Sequence, residues 1–358
     1  MTHDPLDPTV PVHEGENLDH AALARYLRGA VTGLPEGRLA LTQFPAGASN
    51  LTYLARLGDW MGVLRRPPLG PLPPKAHDVL REARLLEKLS PVYARAPRPL
   101  ALCDDLTVIG VPFYVMEHRR GVVLEDAFPP GVAGTPDLCR AVSFAVVDTL
   151  AGLHAIDLVE TGLSDLGYPE GFLARQVRGW SGRYTAALTD DAPAVDGLMR
   201  WLESHIPASP APTMIHNDFK LNNLLLAPDD LGRVDAVLDW EMATIGDPLL
   251  DLAVALIYWG DPSNPPALRD ALPAAMKRPG FIDRRAFVQR YAEGSGRDVS
   301  PLPYYLAFAS FKRAVVLQQI YRRWRDGQTR DERFASFGER VRDLMVHAED
   351  LTRRADLT

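Results

Sequence analysis

Two short segments near the middle of the chain carry side chains whose types and spacing suit phosphate chemistry. The first places Asp218 and Asn223 five residues apart in a polar loop, with Lys220 between them. The second is a short apolar run that ends in Asp239. Mg²⁺ prefers hard oxygen ligands, so Asn223 and Asp239 would each supply one ligand to an ion that holds a polyphosphate. Asp218 would remain available to accept a proton from an incoming hydroxyl group.

Short strands are needed to hold these side chains in place. Residues 213–215 and 224–226 are apolar and predict strands on the two sides of the loop. Residues 236–238 predict a third strand, which delivers Asp239 at its end. Either segment alone is more typical of a polar hairpin turn or an exposed loop acid, but the two together, with this spacing and these flanking strands, favour a site.

The first segment, His216-Asn217-Asp218 with Asn223 downstream and Asp239 beyond it, resembles the catalytic loop and metal-binding acid of the aminoglycoside phosphotransferase-like kinases. That family is a branch of the protein-kinase-like fold. Asn217 departs from the usual pattern, in which a glycine is common at this position. Asparagine tolerates a positive φ better than most residues, so the turn can survive the change.

The resemblance also covers the string 238–252, which is similar to the metal-loop signature of the family, and it extends over nearly the whole chain from about residue 17. It implies an α+β, bilobal protein-kinase-like fold. The small N-lobe would contain an antiparallel sheet and one main helix, and the larger C-lobe would be mainly helical. The expected organisation is an extended arm at 1–16, a nucleotide-binding N-lobe at 17–118, and a catalytic and substrate-binding C-lobe at 119–358.

A loop between the strands predicted at 39–44 and 51–57 lies where this family covers the nucleotide. A strand, small-residue loop and strand allow backbone N–H groups to approach a triphosphate, although an ordinary hairpin has the same pattern. By resemblance, the residues of this loop are Gly47, Ala48, Ser49 and Asn50.

Arg65 stands at the end of the strand predicted at 60–65, where the fold usually places a lysine that holds the α- and β-phosphates. Arginine keeps the charge and can bind phosphate in a bidentate manner. The resemblance implies that Glu82, on the helix predicted at 77–89, pairs with this cation, with Glu87 as a rival. The strand at 112–117 ends at the position of the inter-lobe hinge, where backbone groups would bind an adenine edge. The hinge residues are Glu117 and His118.

Composition sets wider limits on this chain of 358 residues. Hydrophobic residues make up 46% and charged residues 24%, which is typical of a globular protein with an ample core. The net charge of −7 provides no electrostatic footprint for nucleic acid. No apolar run is long enough to span a bilayer and no basic, apolar leader begins the chain, so a cytoplasmic location is the expectation. Cys103 and Cys139 lack the spacing of metal ligands. The sequence does not predict an oligomeric state.

Several other features of the chain carry structural expectations. A helix is predicted from Asn17, as its cap, to about Thr32. His154 is predicted to be a packed core histidine, and Asp247 and Asp251 to brace loops, as in the family. The aromatic and basic helix predicted at 304–324 would either wall a site for an anionic, partly apolar substrate or place its aromatic residues in the core with Arg322 and Arg323 in solvent. Lys220 would either steady the transferring phosphoryl group or be a solvated loop lysine.

The resemblance implies a small-molecule kinase that uses ATP and Mg²⁺ and acts on a hydroxyl group. The segments 63–68, 73–77 and 113–118 look closest to kinase domains found with acyl-CoA dehydrogenases, which phosphorylate hydroxyacyl-CoA. One alternative is an aminoglycoside or amino-sugar O-phosphotransferase. A second alternative is a nucleotide-binding pseudokinase scaffold, which only Arg65 and Asn217 support.

Overall fold

A computed structural model describes residues 8–45, 50–68, 78–261, 264–270, 272–329 and 331–353. Its strands are β1 (Ala40–Gln43), β2 (Leu51–Leu57), β3 (Trp60–Arg66), β4 (Pro99–Cys103), β5 (Phe113–Glu117), β6 (Thr213–Ile215), β7 (Leu224–Ala227), β8 (Asp230–Val237) and β9 (Thr244–Gly246). Its helices are α1 (His20–Ala30), α2 (Val79–Leu89), α3 (Leu106–Ile109), α4 (Pro136–His154), α5 (Phe172–Ala186), α6 (Asp196–Ser204), α7 (Pro248–Ile257), α8 (Pro266–Arg269), α9 (Arg284–Ser295), α10 (Leu302–Arg325) and α11 (Phe337–Arg353). The α+β prediction is confirmed.

The chain divides into two compact units. The first runs to Val123 and also includes Pro129–Gly131 and Asn223–Ala243, and the second contains Leu124–Phe128, Val132–Asn222 and the residues from Thr244 onward. Strands β7 and β8 thus belong to the first unit, which a single boundary at residue 118 does not describe. The functional division at that residue stays a prediction.

An antiparallel sheet dominates the first unit, with the strand order β1-β2-β3-β5-β4 among the described residues. Strands β2 and β3 form a hairpin in which Leu57 pairs with Trp60. Gly58 in the two-residue connection has a φ of 57°, which glycine adopts at little cost and which matches the twist of a tight hairpin. This hairpin positions Arg65 on β3, the strand in the middle of the sheet.

Successive residues of β3 face opposite sides of the sheet, so Arg65 and Arg66 have different surroundings. Arg66 donates a hydrogen bond from Nη2 to the Tyr53 hydroxyl at 2.8 Å. The Tyr53 hydroxyl in turn donates to the backbone oxygen of Glu16 at 3.0 Å. Together with the paired backbone hydrogen bonds between Val10 and Gln43, these contacts hold the described part of the N-terminal segment against the sheet.

The start of α1 differs from the prediction. Asp19, and not Asn17, caps the helix, because its carboxylate accepts hydrogen bonds from the N–H groups of Ala21 and Ala22, both at 2.9 Å. The helix ends at Ala30, before the predicted end near Thr32. Helix α2 begins at Val79 with Asp78 as its cap.

The second unit is mainly helical, as expected for the C-terminal part of the chain. Helix α10 packs against α5, α7 and α11, and the aromatic residues of its first half are buried: Tyr304, Tyr305, Phe308 and Phe311. The core interpretation of this helix is therefore confirmed for those residues. Among the described residues, no helix is both long enough and apolar enough to cross a membrane.

Candidate active site

Arg65 is the central cation of a buried polar network in the first unit. Its Nη1 donates a hydrogen bond to Glu82 Oε1 at 2.9 Å, and its Nη2 contacts Asp239 Oδ1 and lies 3.5 Å from Glu241 Oε2. Burial disfavours the charge on Arg65, but the carboxylates of Glu82 and Asp239 outweigh that cost and raise the pKa of Arg65 above its ordinary value. The predicted pairing of Arg65 with Glu82 is present.

Glu82 joins this network to the segment that follows β8. Its side chain is only 1% exposed, and its Oε1 also accepts a hydrogen bond from the backbone N–H of Trp240 at 3.1 Å. Burial raises the pKa of Glu82 to about 7, with Arg65 acting in the opposite direction. One buried carboxylate on α2 therefore fixes both the arginine of β3 and the backbone next to Asp239. Glu87, the rival candidate, is exposed.

Strands β7 and β8 bring Asn223 and Asp239 to the same end of a hairpin. Leu224 pairs with Val237, and the N–H of Leu238 donates to the backbone oxygen of Asn223 at 2.8 Å. Asn223 directly precedes β7, and Asp239 lies two residues after β8. The two predicted metal ligands thus flank the pair of strands, as expected from the sequence.

The donor set of this hairpin fits Mg²⁺. It offers the amide oxygen of Asn223 and the carboxylates of Asp239 and Glu241, which are the hard oxygen ligands this ion binds. No group of three or more His, Cys, Asp or Glu side chains placed to hold a metal occurs within the described ranges. Mg²⁺ characteristically takes one or two protein carboxylates and completes its shell with phosphate and water, so two or three protein ligands suffice.

Asp239 has a φ of 66°, and Asn217 has a φ of 67°. They are the non-glycine residues with positive φ within the described part of the chain. Such a conformation is uncommon outside glycine and clusters at functional sites. The prediction that Asn217 supports a left-handed turn is confirmed, and Asp239 adopts the same conformation, which the sequence did not indicate.

The nucleotide-covering loop is described in part. Gly47, Ala48 and Ser49 lie outside the described residues. Asn50 is buried, and its Nδ2 donates to Glu241 Oε2 at 2.8 Å. Asn50 therefore contacts the same carboxylate that faces Arg65.

Glu117 is the last residue of β5. It is hydrogen-bonded to Arg98, directly before β4, and to Arg119, two residues after β5. Its Oε1 accepts hydrogen bonds from the N–H of Arg98 at 3.0 Å and from Nε of Arg119 at 2.8 Å. Its own N–H donates to the backbone oxygen of Arg98 at 2.9 Å. A role for Glu117 and His118 in binding adenine stays a prediction.

In the second unit, Asp251 holds the loop that contains the predicted general base. Its carboxylate accepts hydrogen bonds from the N–H groups of His216 at 2.7 Å and Asn217 at 2.6 Å. His154 Nε2 lies 3.1 Å from Asp251 Oδ2, and His154 Nδ1 lies 2.7 Å from the Tyr291 hydroxyl. Burial opposes the charge on Asp251, but these hydrogen bonds lower its pKa below the ordinary value. The structural roles predicted for His154 and Asp251 are confirmed.

Asp247 braces a neighbouring part of the same unit. It caps α7 by accepting a hydrogen bond from the N–H of Leu249 at 2.9 Å, and its other oxygen accepts from the Tyr305 hydroxyl at 2.7 Å. This confirms the bracing role predicted for it.

Asp218 itself is partly exposed, at 24% for the side chain, and its Oδ2 accepts a hydrogen bond from Lys220 Nζ at 2.8 Å. Lys220 Nζ also lies 5.2 Å from the centroid of the Tyr258 ring. The side chain of Lys220 is therefore held by Asp218 and the Tyr258 ring and is not a freely solvated loop lysine.

Lys312 is a functional candidate to which the sequence analysis assigned no role. It lies on α10, is only 8% exposed, and donates from Nζ to Asn217 at both Oδ1, 2.7 Å, and the backbone oxygen, 3.2 Å. Burial lowers the pKa of Lys312 to about 8, although the nearby Asp218 and Asp251 act in the opposite direction. The available signal was a lysine four residues after Phe308 and directly after Phe311, within the aromatic part of a predicted helix.

Comparison with known proteins agrees with this geometry. A model of the phosphotransferase enzyme family APH matches residues 40–293. Acyl-CoA dehydrogenase family member 10 of Mus musculus is 36% identical over 323 residues, which cover 89% of this chain and 30% of that protein. The chain spans less than half the length of each curated relative described as an acyl-CoA dehydrogenase.

Solved structures show the same fold. A crystal structure of a candidate aminoglycoside phosphotransferase from Ralstonia eutropha is 31% identical with a TM-score of 0.79, covering 94% of this chain and 99% of that one. A thermostable mutant of aminoglycoside phosphotransferase APH(4)-Ia, solved with AMP-PNP and hygromycin B, is 19% identical with a TM-score of 0.58 over 90% of this chain and 96% of that one. The second likeness concerns the fold alone, which is the protein-kinase-like fold predicted from the sequence. The chain therefore belongs to the phosphotransferase enzyme family APH and is a small-molecule kinase.

Proposed function

We propose that this kinase transfers the γ-phosphoryl group of ATP to a hydroxyl group of a hydroxyacyl-CoA. The observation that supports phosphoryl transfer most strongly is the network around Arg65. A single buried guanidinium contacts both Glu82 and Asp239. Arg65, which is expected to bind phosphate, thus contacts Asp239, which is expected to bind the metal. Phosphoryl transfer needs the phosphate-binding cation and the metal ligand in place together.

Each residue of the network has a role in this proposal. Arg65 binds the α- and β-phosphates, and Glu82 fixes its orientation. Asn223 and Asp239 would hold Mg²⁺, which when bound offsets the negative charge of the phosphates. The three carboxylates around Arg65 exceed its single positive charge, so a divalent cation complements the group.

On the catalytic loop, Asp218 accepts the proton of the acceptor hydroxyl as the hydroxyl attacks the γ-phosphorus. Lys220 is hydrogen-bonded to Asp218 Oδ2 and keeps that carboxylate oriented. Lys220 also brings a positive charge to the position where negative charge develops. General-base assistance of this kind contributes about 10²- to 10⁴-fold to the rate.

The acceptor class rests on the relatives. The curated relatives carry acyl-CoA dehydrogenase in their names, and their similarity to this chain covers 89% to 99% of it. A kinase that works with such an enzyme would act on a hydroxylated acyl-CoA. The alternative acceptor, an aminoglycoside, is the class named for the Ralstonia eutropha structure.

The test is a coupled ADP-release assay with Mg²⁺-ATP and a panel of 3- and 4-hydroxyacyl-CoAs, aminoglycosides and amino sugars. We expect turnover with the hydroxyacyl-CoAs that is lost in Asp218→Ala. Turnover confined to the aminoglycosides or amino sugars would replace the acceptor class while leaving the kinase assignment intact. ATP binding without turnover of any acceptor would support the pseudokinase alternative instead.

A further inference from the structure

Arg313 carries a positive charge that has no polar partner among the described residues. Its Nε is buried and makes no hydrogen bond, and its guanidinium has no hydrogen bond or ion pair to any other residue in the described ranges. The contact it does make is with the face of the Tyr258 ring, whose centroid lies 4.3 Å from Cζ. Arginine has five N–H donors and no acceptor, so the buried Nε–H lacks an acceptor and the guanidinium remains able to donate to an oxygen ligand.

Arg313 lines a pocket of about 420 Å³ within the second unit. Tyr258 and the catalytic-loop residues Lys220 and Asn222 also line this pocket. Lys220 Nζ lies 5.2 Å from the centroid of the same Tyr258 ring and 2.8 Å from Asp218 Oδ2. Two cations thus contact one aromatic ring, and one of them is hydrogen-bonded to the proposed general base. The pocket therefore adjoins the loop that carries the proposed base, and Lys220 connects the two.

We propose that Arg313 binds an oxygen atom of the acceptor, a carboxylate or a thioester carbonyl, that lies a few bonds from the hydroxyl receiving the phosphoryl group. This inference rests on the proposed function and specifies it further, since it assigns a residue that selects acyl acceptors. Tyr258 supports the guanidinium through its ring face and leaves the planar edge of donors available to the ligand.

Glu125 and Asp126 also line the pocket and carry the opposite charge. Both are exposed to solvent, whereas Arg313 is partly buried. Solvent and salt screen exposed charges far more than buried ones, so Glu125 and Asp126 offset the positive charges of Arg313 and Lys220 only weakly. If the acids dominated instead, the pocket would favour an amine, as in a cationic amino sugar.

The experiment compares two acceptors that differ in one oxygen atom. One is a 4-hydroxyacyl-CoA, and the other is the matching S-(4-hydroxyalkyl)-CoA thioether, which keeps the hydroxyl group and lacks the carbonyl. Each is assayed with wild type, Arg313→Gln, Arg313→Lys and the control Arg323→Gln, which changes an exposed arginine of the same helix. The measured quantity is the ratio of kcat/KM for the thioester to kcat/KM for the thioether, together with KM for ATP.

We expect wild type and Arg323→Gln to prefer the thioester, and Arg313→Gln to reduce that preference by about 10- to 100-fold, the effect of one hydrogen bond to a charged donor. Arg313→Lys should retain part of the preference because it keeps the charge. A preference that survives in Arg313→Gln would overturn the assignment. So would a rise in KM for ATP without a change in the ratio, because it would place a phosphate of the nucleotide at Arg313.

The remaining outcomes separate this inference from the proposed function. If wild type phosphorylates neither CoA compound, the proposed acceptor class is wrong, and so is the assignment of Arg313 as the residue that binds the acyl oxygen. If wild type phosphorylates amino sugars instead, and Arg313→Gln increases kcat/KM for them, the acids at the rim define the specificity and the assignment of Arg313 is wrong.

Discussion

Lys312 donates hydrogen bonds to both oxygens of Asn217, at 2.7 Å to the side chain and 3.2 Å to the backbone. Asn217 occupies a left-handed conformation immediately before Asp218, and the backbone N–H of Asn217 is held from the other side by Asp251. A helix in the core of the second unit therefore fixes the residue next to the proposed base. Lys312 does not touch the reacting atoms in this account, so it is a positioning residue.

Replacing Lys312 with methionine should lower kcat by about 10- to 100-fold with little change in KM for ATP, because small displacements of a catalytic group have effects of this size. In an Asn217→Gly background the same replacement should cost less, because glycine adopts a positive φ without support. The comparison is a double-mutant cycle on kcat. Gln318→Met, which removes another buried polar side chain of α10, serves as the control and should alter stability without this coupling.

The buried ammonium of Lys312 also predicts a pH dependence of stability. Burial lowers its pKa to about 8 in the folded state, whereas its ordinary value is 10.5. Between these values the unfolded chain binds more protons than the folded chain, so stability rises with pH. The groups that face Lys312 are Asp218, Asp251, Arg183 and the ring of Trp180. Raising the pH from about 8 to about 9.5 should increase the free energy of unfolding of wild type, relative to Lys312→Met, by about 2 kcal/mol. A difference that stays constant with pH in denaturant titrations would contradict a depressed pKa.

The network around Arg65 predicts that a positive charge alone at residue 65 does not give full kcat/KM for ATP. Arg65→Lys keeps a cation but cannot bind Glu82 and Asp239 simultaneously through a planar head. We expect kcat/KM for ATP to fall by about 10-fold or more in Arg65→Lys and in Glu82→Gln, and the double variant to fall by less than the product of the two effects because the residues form one pair. Arg56→Gln, on the exposed face of β2, is the matched control. Full additivity in steady-state kinetics would show that the two residues act independently.

The hairpin formed by β7 and β8 predicts a specific dependence on Mg²⁺. Asp239→Asn and Asn223→Ala should each raise the Mg²⁺ concentration that gives half-maximal activity, by about 10-fold, and chelation should abolish turnover in wild type. Asp235→Asn changes an acid of β8 that pairs with Arg233 at the surface and should leave the Mg²⁺ titration unaltered. Equal Mg²⁺ curves for Asp239→Asn and Asp235→Asn would remove Asp239 from the metal site.

Much of the first unit could be predicted because its signals are local. The runs at 51–57 and 60–65 identify β2 and β3, and the resemblance to the family identifies Glu82 as the partner of Arg65. The cap of α1 was predicted at Asn17 and lies at Asp19, since two candidate cap residues stand close together and only the three-dimensional arrangement decides between them. The early start of β8 was also missed, because Asp230 to Asp235 is polar and has no clear strand pattern.

The contacts that could not be predicted join residues far apart in the chain. Lys312 meets Asn217 across 95 residues, and Arg313 shares the Tyr258 ring with Lys220. The sequence showed α10 as aromatic and basic, which permitted either a core helix or a wall of the site. The buried aromatic residues of its first half match the core alternative. On the same helix, Lys312 is hydrogen-bonded to Asn217 of the catalytic loop and Arg313 lines the neighbouring pocket.

In the proposed mechanism, Asp218 promotes transfer of the γ-phosphoryl group to an acceptor hydroxyl. The most direct measurement is single-turnover transfer from γ-labelled ATP to the acceptor in wild type, Asp218→Asn and the control Asp229→Asn, with nucleotide affinity measured by calorimetry in parallel. Asp229 is a surface acid that pairs with Arg233. We expect a transfer rate about 10²- to 10⁴-fold lower in Asp218→Asn alone, with ATP affinity within about threefold of wild type. A rate in Asp218→Asn within about tenfold of wild type would contradict it.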